Sequence, residues 1–172
     1  MDNSNVRKIF KILKYFFIVV ILLIFDQSTK ALAITYLKDG KEISVIKDVF
    51  VLYYLENRGA AFGMFQGKFF LFIISFIILL AIVIIFFRRV PMEKHFMPLR
   101  ICVITIFAGA IGNFVDRVRL GYVVDFFYFK LIDFPIFNVA DIYVTCSTIV
   151  LILLIIFYYK EEDFERIFSR RK

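Results

Sequence analysis

Phe69–Phe87 reads FFLFIISFIILLAIVIIFF, with Ser75 as its single polar side chain. A helix rising about 1.5 Å per residue needs about 20 such residues to cross the hydrocarbon core of a bilayer. An uncharged run of this length predicts a membrane span. Three further runs flank it. The first is Ile12–Phe25, aliphatic throughout from Ile18 to Ile24, and it extends through Asp26 towards Ala33. Leu99–Val115, rich in small residues, is the third span in chain order, and Ile142–Tyr159 is the fourth. The expected fold is an α-helical integral membrane protein with four transmembrane helices, one membrane-embedded domain over residues 1–172. Spans are expected at about 12–33, 69–87, 99–115 and 141–159, with extracytoplasmic connections at 34–68 and 116–140.

Composition supports this reading. Hydrophobic residues make up 62% of the chain, well above the roughly 45–50% of a soluble domain. Charged residues still reach 22%, so they must be segregated. The net charge of +7 raises nucleic acid as a partner. The apolar excess argues against it and for a membrane, where basic residues beside spans signal topology. Four spans put both termini on one side. That side carries 13 basic and 6 acidic residues, the other 9 and 9. The basic excess marks the side with the termini as cytoplasmic. The first run resembles a secretory leader, with Arg7, Lys8, Lys11 and Lys14 ahead of it and Ala31-Leu32-Ala33 behind. The intervening polar stretch and the three later spans favour an uncleaved anchor. Cys102 and Cys146 lie within apolar runs without C-x-x-C spacing, and are read as packing residues.

The outer connections are too long for simple turns. Ile43–Leu55 is dense in Val, Ile, Phe and Tyr and reads as one or two strands, with Lys47-Asp48 as a possible break. Lys38-Asp39-Gly40-Lys41 reads as the turn before them. A small sheet at the membrane surface is expected.

Carboxylates near apolar spans are costly, and four gather at the outer ends. Asp26 closes the first span, Asp116 closes the third, Asp141 opens the fourth, and Asp125 lies between the last two. Their neighbours share helix faces. Gly109, Gly112, Asn113 and Asp116 fall at i, i+3, i+4 and i+7; Asn138, Asp141, Thr145 and Thr148 at i, i+3, i+7 and i+10; Asp26, Thr29 and Lys30 at i, i+3 and i+4. Three polar faces meeting at the outer surface would make a site; ordinary bundle packing by small and polar residues is the bland alternative. The only histidine, His95, falls in the cytoplasmic loop, which removes His-dependent triads and most zinc sites. Carboxylate chemistry remains. Two close carboxylates can share a proton and act as base and acid, or carboxylates can hold a divalent cation. Residue physics chooses neither, and does not say which aspartates pair.

Five ordered segments carry a resemblance. They are Asp26-Gln27-Ser28-Thr29-Lys30, Asn57-Arg58-Gly59-Ala60-Ala61-Phe62-Gly63, Gly109-Ala110-Ile111-Gly112-Asn113-Phe114-Val115-Asp116-Arg117, Val123-Val124-Asp125-Phe126 and Phe134-Pro135-Ile136-Phe137-Asn138-Val139-Ala140-Asp141. The chain resembles the bacterial lipoprotein signal peptidase (signal peptidase II) family over nearly its whole length. It departs at Ala108, where the family usually has a second glycine. The resemblance implies an aspartic endopeptidase of the bacterial cytoplasmic membrane, without metal or cofactor, that cleaves prolipoproteins before a diacylglyceryl-modified cysteine. It implies Asp125 and Asp141 as the catalytic pair. Asn57, Gly59, Asn113, Arg117 and Asn138 match positions that hold substrate or shape the site, and Asp26, Lys30 and Asp116 match supporting ones. It also implies a surface sheet and an outer loop covering the site. The partners it implies are lipidated prolipoproteins and membrane lipid, with no nucleic acid and a monomeric enzyme. A small cation-binding transporter and a non-enzymatic assembly factor are the rival classes. The absence of a mid-membrane carboxylate speaks against the first.

Overall fold

The computed structural model describes the backbone of residues 3–59 and 69–168 and the side chains of 13–59 and 69–168. Ala60, Ala61, Phe62 and Gly63 of the second motif lie outside the described residues, as do the side chains of Arg7, Lys8 and Lys11. The chain runs α1 (Asn3–Leu37), β1 (Glu42–Ile46), β2 (Phe50–Asn57), α2 (Phe69–Arg89), α3 (Met97–Leu120), β3 (Val123–Tyr128), α4 (Val139–Phe157) and α5 (Glu161–Phe168). Short 3-10 turns sit at Lys94–Phe96 and Lys130–Ile132.

Four of the helices are long and apolar enough to span a bilayer: Leu13–Leu37, Phe69–Arg89, Lys94–Leu120 and Val139–Phe157. Their outward surface is apolar, as lipid contact requires. Phe70 and Ile77 on α2 and Ile152 and Ile156 on α4 are all exposed. Helix α3 is the central one, packing against α1, α2 and α4. Its small face explains this. A Cβ at Gly109 would strike the carbonyl of Ala140 on α4, and one at Gly112 would strike the Asp26 carboxylate on α1. Ala108, where the family has glycine, is itself buried.

The connection between α1 and α2 forms two antiparallel strands, broken at Lys47–Val49, where Asp48 takes a positive φ of 57°. A third strand was not anticipated. β3 follows α3 directly and pairs antiparallel with β2, Leu55 opposite Asp125 and Asn57 opposite Val123. VVDFFY lacks an alternating pattern because both its faces are covered, with Val123 to Phe126 all buried. Ala33 and Leu37 of α1, Val124 and Phe126 of β3 and Val139 of α4 form one apolar core beneath the sheet. The chain then doubles back along β3. The amides of Phe126 and Phe127 donate to the Phe137 carbonyl at 3.0 and 2.8 Å, and the Phe137 amide donates to Phe127 at 3.1 Å.

The other ends of the helices are tied by a second core of Val90, Phe96, Leu99, Tyr159 and Ile167. Here α5, unforeseen in sequence, folds against the α2–α3 connection. Arg100, at the start of the expected third span, is a buried residue of α3. Buried charge is therefore not confined to the outer helix ends.

Candidate active site

Helix α4 begins at Asn138, and its first turn builds the site. The Asn138 side chain accepts from the Asp141 amide at 3.0 Å, and the Asp141 carboxylate accepts from the Asn138 amide at 3.1 Å. This reciprocal capping box satisfies two amides the helix cannot pair internally. It also fixes the Asp141 side chain. Its other oxygen accepts from Asn113 Nδ2 on α3 at 2.8 Å.

Asp125 arrives from β3. The pairing of β2 with β3 brings Asn57 beside it, and Asn57 Nδ2 donates to Asp125 Oδ2 at 2.9 Å. Asn138 Nδ2 donates to Asp125 Oδ1 at 2.6 Å and to Asn113 Oδ1 at 3.1 Å. Asn138 thus donates to both carboxylates, from its backbone amide to Asp141 and from its side-chain Nδ2 to Asp125. Burial pushes the Asp125 carboxyl up to about 7, against the hydrogen bond from Asn57 and with the nearby Asp141 charge adding to the rise.

Behind these residues lies a layer of buried charge. Lys30 Nζ, at 2% exposure, contacts Asp26 Oδ2 at 3.1 Å, Asp116 Oδ2 at 2.9 Å and Asn113 Oδ1 at 2.9 Å. Asn113 Oδ1 is engaged by Lys30 and Asn138, so its amide nitrogen must face Asp141. Asp26 Oδ1 accepts from the Ala140 amide at 3.0 Å, and Asp116 Oδ2 from the Val124 amide at 3.2 Å. Asp26 therefore ties α1 to the start of α4, and Asp116 ties α3 to β3. Gln27, quoted in a motif but given no role, bridges Asp26 and Asp116 at 3.1 and 2.9 Å. Only its place beside Asp26 could have flagged it.

Asp125 and Asp141 line one cavity of about 620 Å³ together with Asn57, Asn113, Arg117 and Thr145. Arg117 donates to the Gly59 carbonyl at 2.8 Å and to the Asn113 carbonyl at 3.2 Å. Its guanidinium lies 4.1 Å from the Phe72 ring centroid of α2. A smaller space of about 300 Å³ opens between α2, α3 and α4, walled by Phe76, Phe114 and Val144. It shares Asn113, Arg117, Asp141 and Thr145 with the larger cavity. Asp141 is thus reachable along an apolar path between helices. Two residues of the polar faces stand apart. Thr29 donates to the Asp26 carbonyl at 2.7 Å and lines a different hollow, and Thr148 is half-buried further along α4.

The chain is similar to known proteins over most of its length. The family model described as signal peptidase (SPase) II matches residues 18–157. A lipoprotein signal peptidase of Clostridium tetani is 47% identical over 157 residues, covering 88% of this chain and 97% of the relative. One from Clostridioides difficile is 42% identical, covering 80% and 90%. Two solved bacterial membrane enzymes share the fold. The first has a TM-score of 0.74 and 34% identity, covering 92% of this chain and 93% of its own; the second has 0.72 and 35%, covering 85% and 94%.

Proposed function

The chain belongs to the signal peptidase II family, and from that premise we propose an aspartic mechanism in which Asp125 and Asp141 share one water and one proton. The protein is a multi-pass membrane protease that removes signal peptides from prolipoproteins. The observation that carries the mechanism is the convergence of Asp125 and Asp141 on one cavity through the Asn138 bridge. Asp125, pushed up to about 7, carries the proton. Asp141 takes a proton from water as the water oxygen attacks the scissile carbonyl carbon, and Asp125 protonates the carbonyl oxygen. As the C–N bond breaks, Asp141 passes its proton to the leaving nitrogen and Asp125 recovers its own. The signal peptide leaves with a carboxyl terminus, and the cysteine gains a free amine.

Both oxygens of each carboxylate accept hydrogen bonds from N–H donors. A cation site needs several oxygen ligands, whereas Asn57, Asn113 and Asn138 turn N–H donors toward the pair, which supports metal-free chemistry. Asn57, Asn113, Arg117 and Asn138 orient the pair and the substrate chain; Gly59 offers its carbonyl to Arg117. Asp26, Lys30 and Asp116 hold the helices in register. The substrate is a diacylglyceryl-modified precursor, its apolar signal segment approaching between α2, α3 and α4. The basic excess supports cytoplasmic termini and a site at the outer face.

The test is cleavage of a lipidated prolipoprotein peptide by the purified protein in detergent, with a strong chelator present. Cleavage before the lipidated cysteine is expected, with a bare peptide cut poorly, because each buried CH₂ contributes about 0.8 kcal/mol to anchoring. Equal rates on the two peptides, or revival of a dialysed enzyme by one divalent ion, would overturn the reading.

A further inference from the structure

A second hollow of about 280 Å³ lies where the outer end of α1 meets the sheet. Its walls are Leu32, Tyr36 and Leu37 on α1, Ile43 and Leu52 on the first two strands, and Phe126 and Phe127 on β3. It shares no lining residue with the catalytic cavity. The hydroxyl of Thr29 at its edge is turned back to the helix, donating to the Asp26 carbonyl. A water needs two to four polar partners to reside in a cavity, and these walls do not offer them. The occupant must be apolar.

Position says which apolar group is at hand. From Leu13, about 20 residues of helix cover the hydrocarbon core and end near Ala33. The α1 wall of the hollow therefore straddles the outer boundary of the acyl region. The exposed apolar stripe of α1, through Phe17, Ile21 and Phe25, continues into Leu32 and Tyr36, which are also exposed. That stripe is the lipid-facing surface of the span, and the hollow lies at its outer end, past Ser28. Tyr36 stands where interfacial aromatics gather.

We propose that this hollow is a binding site for one acyl chain of a membrane phospholipid, held more firmly than the lipid around the rest of α1. A chain seated there fills the space behind Phe126 and Phe127, the two residues that follow Asp125. The substrate's own acyl chains are disfavoured as occupants because they enter with the scissile bond, at the other cavity. The inference rests on the four-span fold and is independent of the aspartic chemistry; its test uses no turnover.

The chain has no tryptophan, so single reporters can be installed. Tyr36→Trp and Leu32→Trp place one on the wall of the hollow, and Ile21→Trp places one on the lipid-facing stripe. Each variant is reconstituted in phosphatidylglycerol vesicles with brominated acyl chains, which quench tryptophan on contact, then extracted into lipid-free detergent. The two wall reporters should stay largely quenched while Ile21→Trp recovers. Adding Ile43→Lys, which puts a charge into the hollow, should let the Tyr36→Trp signal recover too. Recovery of both wall reporters on extraction would overturn the proposal. So would quenching seen only with brominated chains on a prolipoprotein peptide.

Discussion

Both ends of the helix bundle bury charge, and they use it differently. At the end expected from its basic excess to be cytoplasmic, Arg100 donates from Nε to the Tyr15 hydroxyl at 2.7 Å, from one terminal nitrogen to the Pro91 carbonyl and from the other to the Glu93 carbonyl at 2.8 Å. Its partners are neutral oxygens, two of them on the backbone, and the outcome is a closed α2–α3 connection. At the outer end the carboxylates are held by asparagine amides and still line an open cavity. A buried charge enclosed by its partners braces the fold. One that is oriented on a single side and left facing a cavity can do chemistry.

The strongest way to break this contrast is Asp125→Asn or Asp141→Asn. Each should lower the cleavage rate by about 10²–10⁴-fold, leave a protein that still unfolds cooperatively in detergent, and retain substrate binding. The double variant should be no slower than either single, because the two act as a unit. Asp116→Asn should instead lose stability with part of its activity. Near-normal turnover by Asp125→Asn, with Asp116→Asn well folded and dead, would reverse the assignment.

Arg100→Met is the mirror experiment. It orphans buried acceptors at about 1–3 kcal/mol each, so the thermal midpoint should fall clearly while kcat of the folded fraction holds. A selective loss of kcat would join the cytoplasmic end to the active site and dissolve the distinction.

Acidity sharpens the contrast further. The Asp125 carboxyl is raised from an ordinary 3.8 to about 7 by burial. A raised acid contributes its stability fully below the ordinary value and loses it as pH rises through the folded one. From about pH 4 to pH 7 the wild-type midpoint should therefore fall, and Asp125→Asn should flatten that slope. Turnover should fall as pH rises through about 7, where folded Asp125 loses its proton. An unchanged slope in the variant would show that another group titrates there.

The smallest effect belongs to His95→Phe. His95 Nε2 meets Asp163 of α5 at 3.0 Å, and its hydrogen bond holds the Asp163 carboxyl below its usual range. That stabilisation is present at neutral pH and fades as pH falls through the carboxylate range. The pair is partly exposed, so its loss should shift the midpoint little and the cleavage rate not at all. A large change in rate would give the cytoplasmic end a catalytic role.

The spans and the outer faces were legible because periodicity and charge placement act over whole helices. Gly112, Asn113 and Asp116 on α3 and Asn138 and Asp141 on α4 needed only helix spacing to be grouped. The pairing of Asp125 with Asp141 was not legible from the residues alone. It depends on β3, whose covered faces erase the alternation that marks a strand, and on the return of Phe137 along it. The family resemblance supplied that pair. Gln27 escaped because its bridge forms only when Asp116 of another helix comes beside Asp26, and Arg100 because a charge at a span boundary looks solvated until the loop folds over it.

The bond between Asp26 and the Ala140 amide has a consequence for the order in which the protein is made. It joins residues 114 positions apart, one on the first helix to be synthesised and one on the last of the four spans. Asp141, its neighbour, arrives on the same late helix. Until α4 has been delivered to the membrane, Asp26, Lys30 and Asp116 can neutralise one another within α1 and α3, but no second carboxylate faces Asp125. During insertion the nascent chain therefore lacks the proposed pair of Asp125 and Asp141 until assembly is nearly complete.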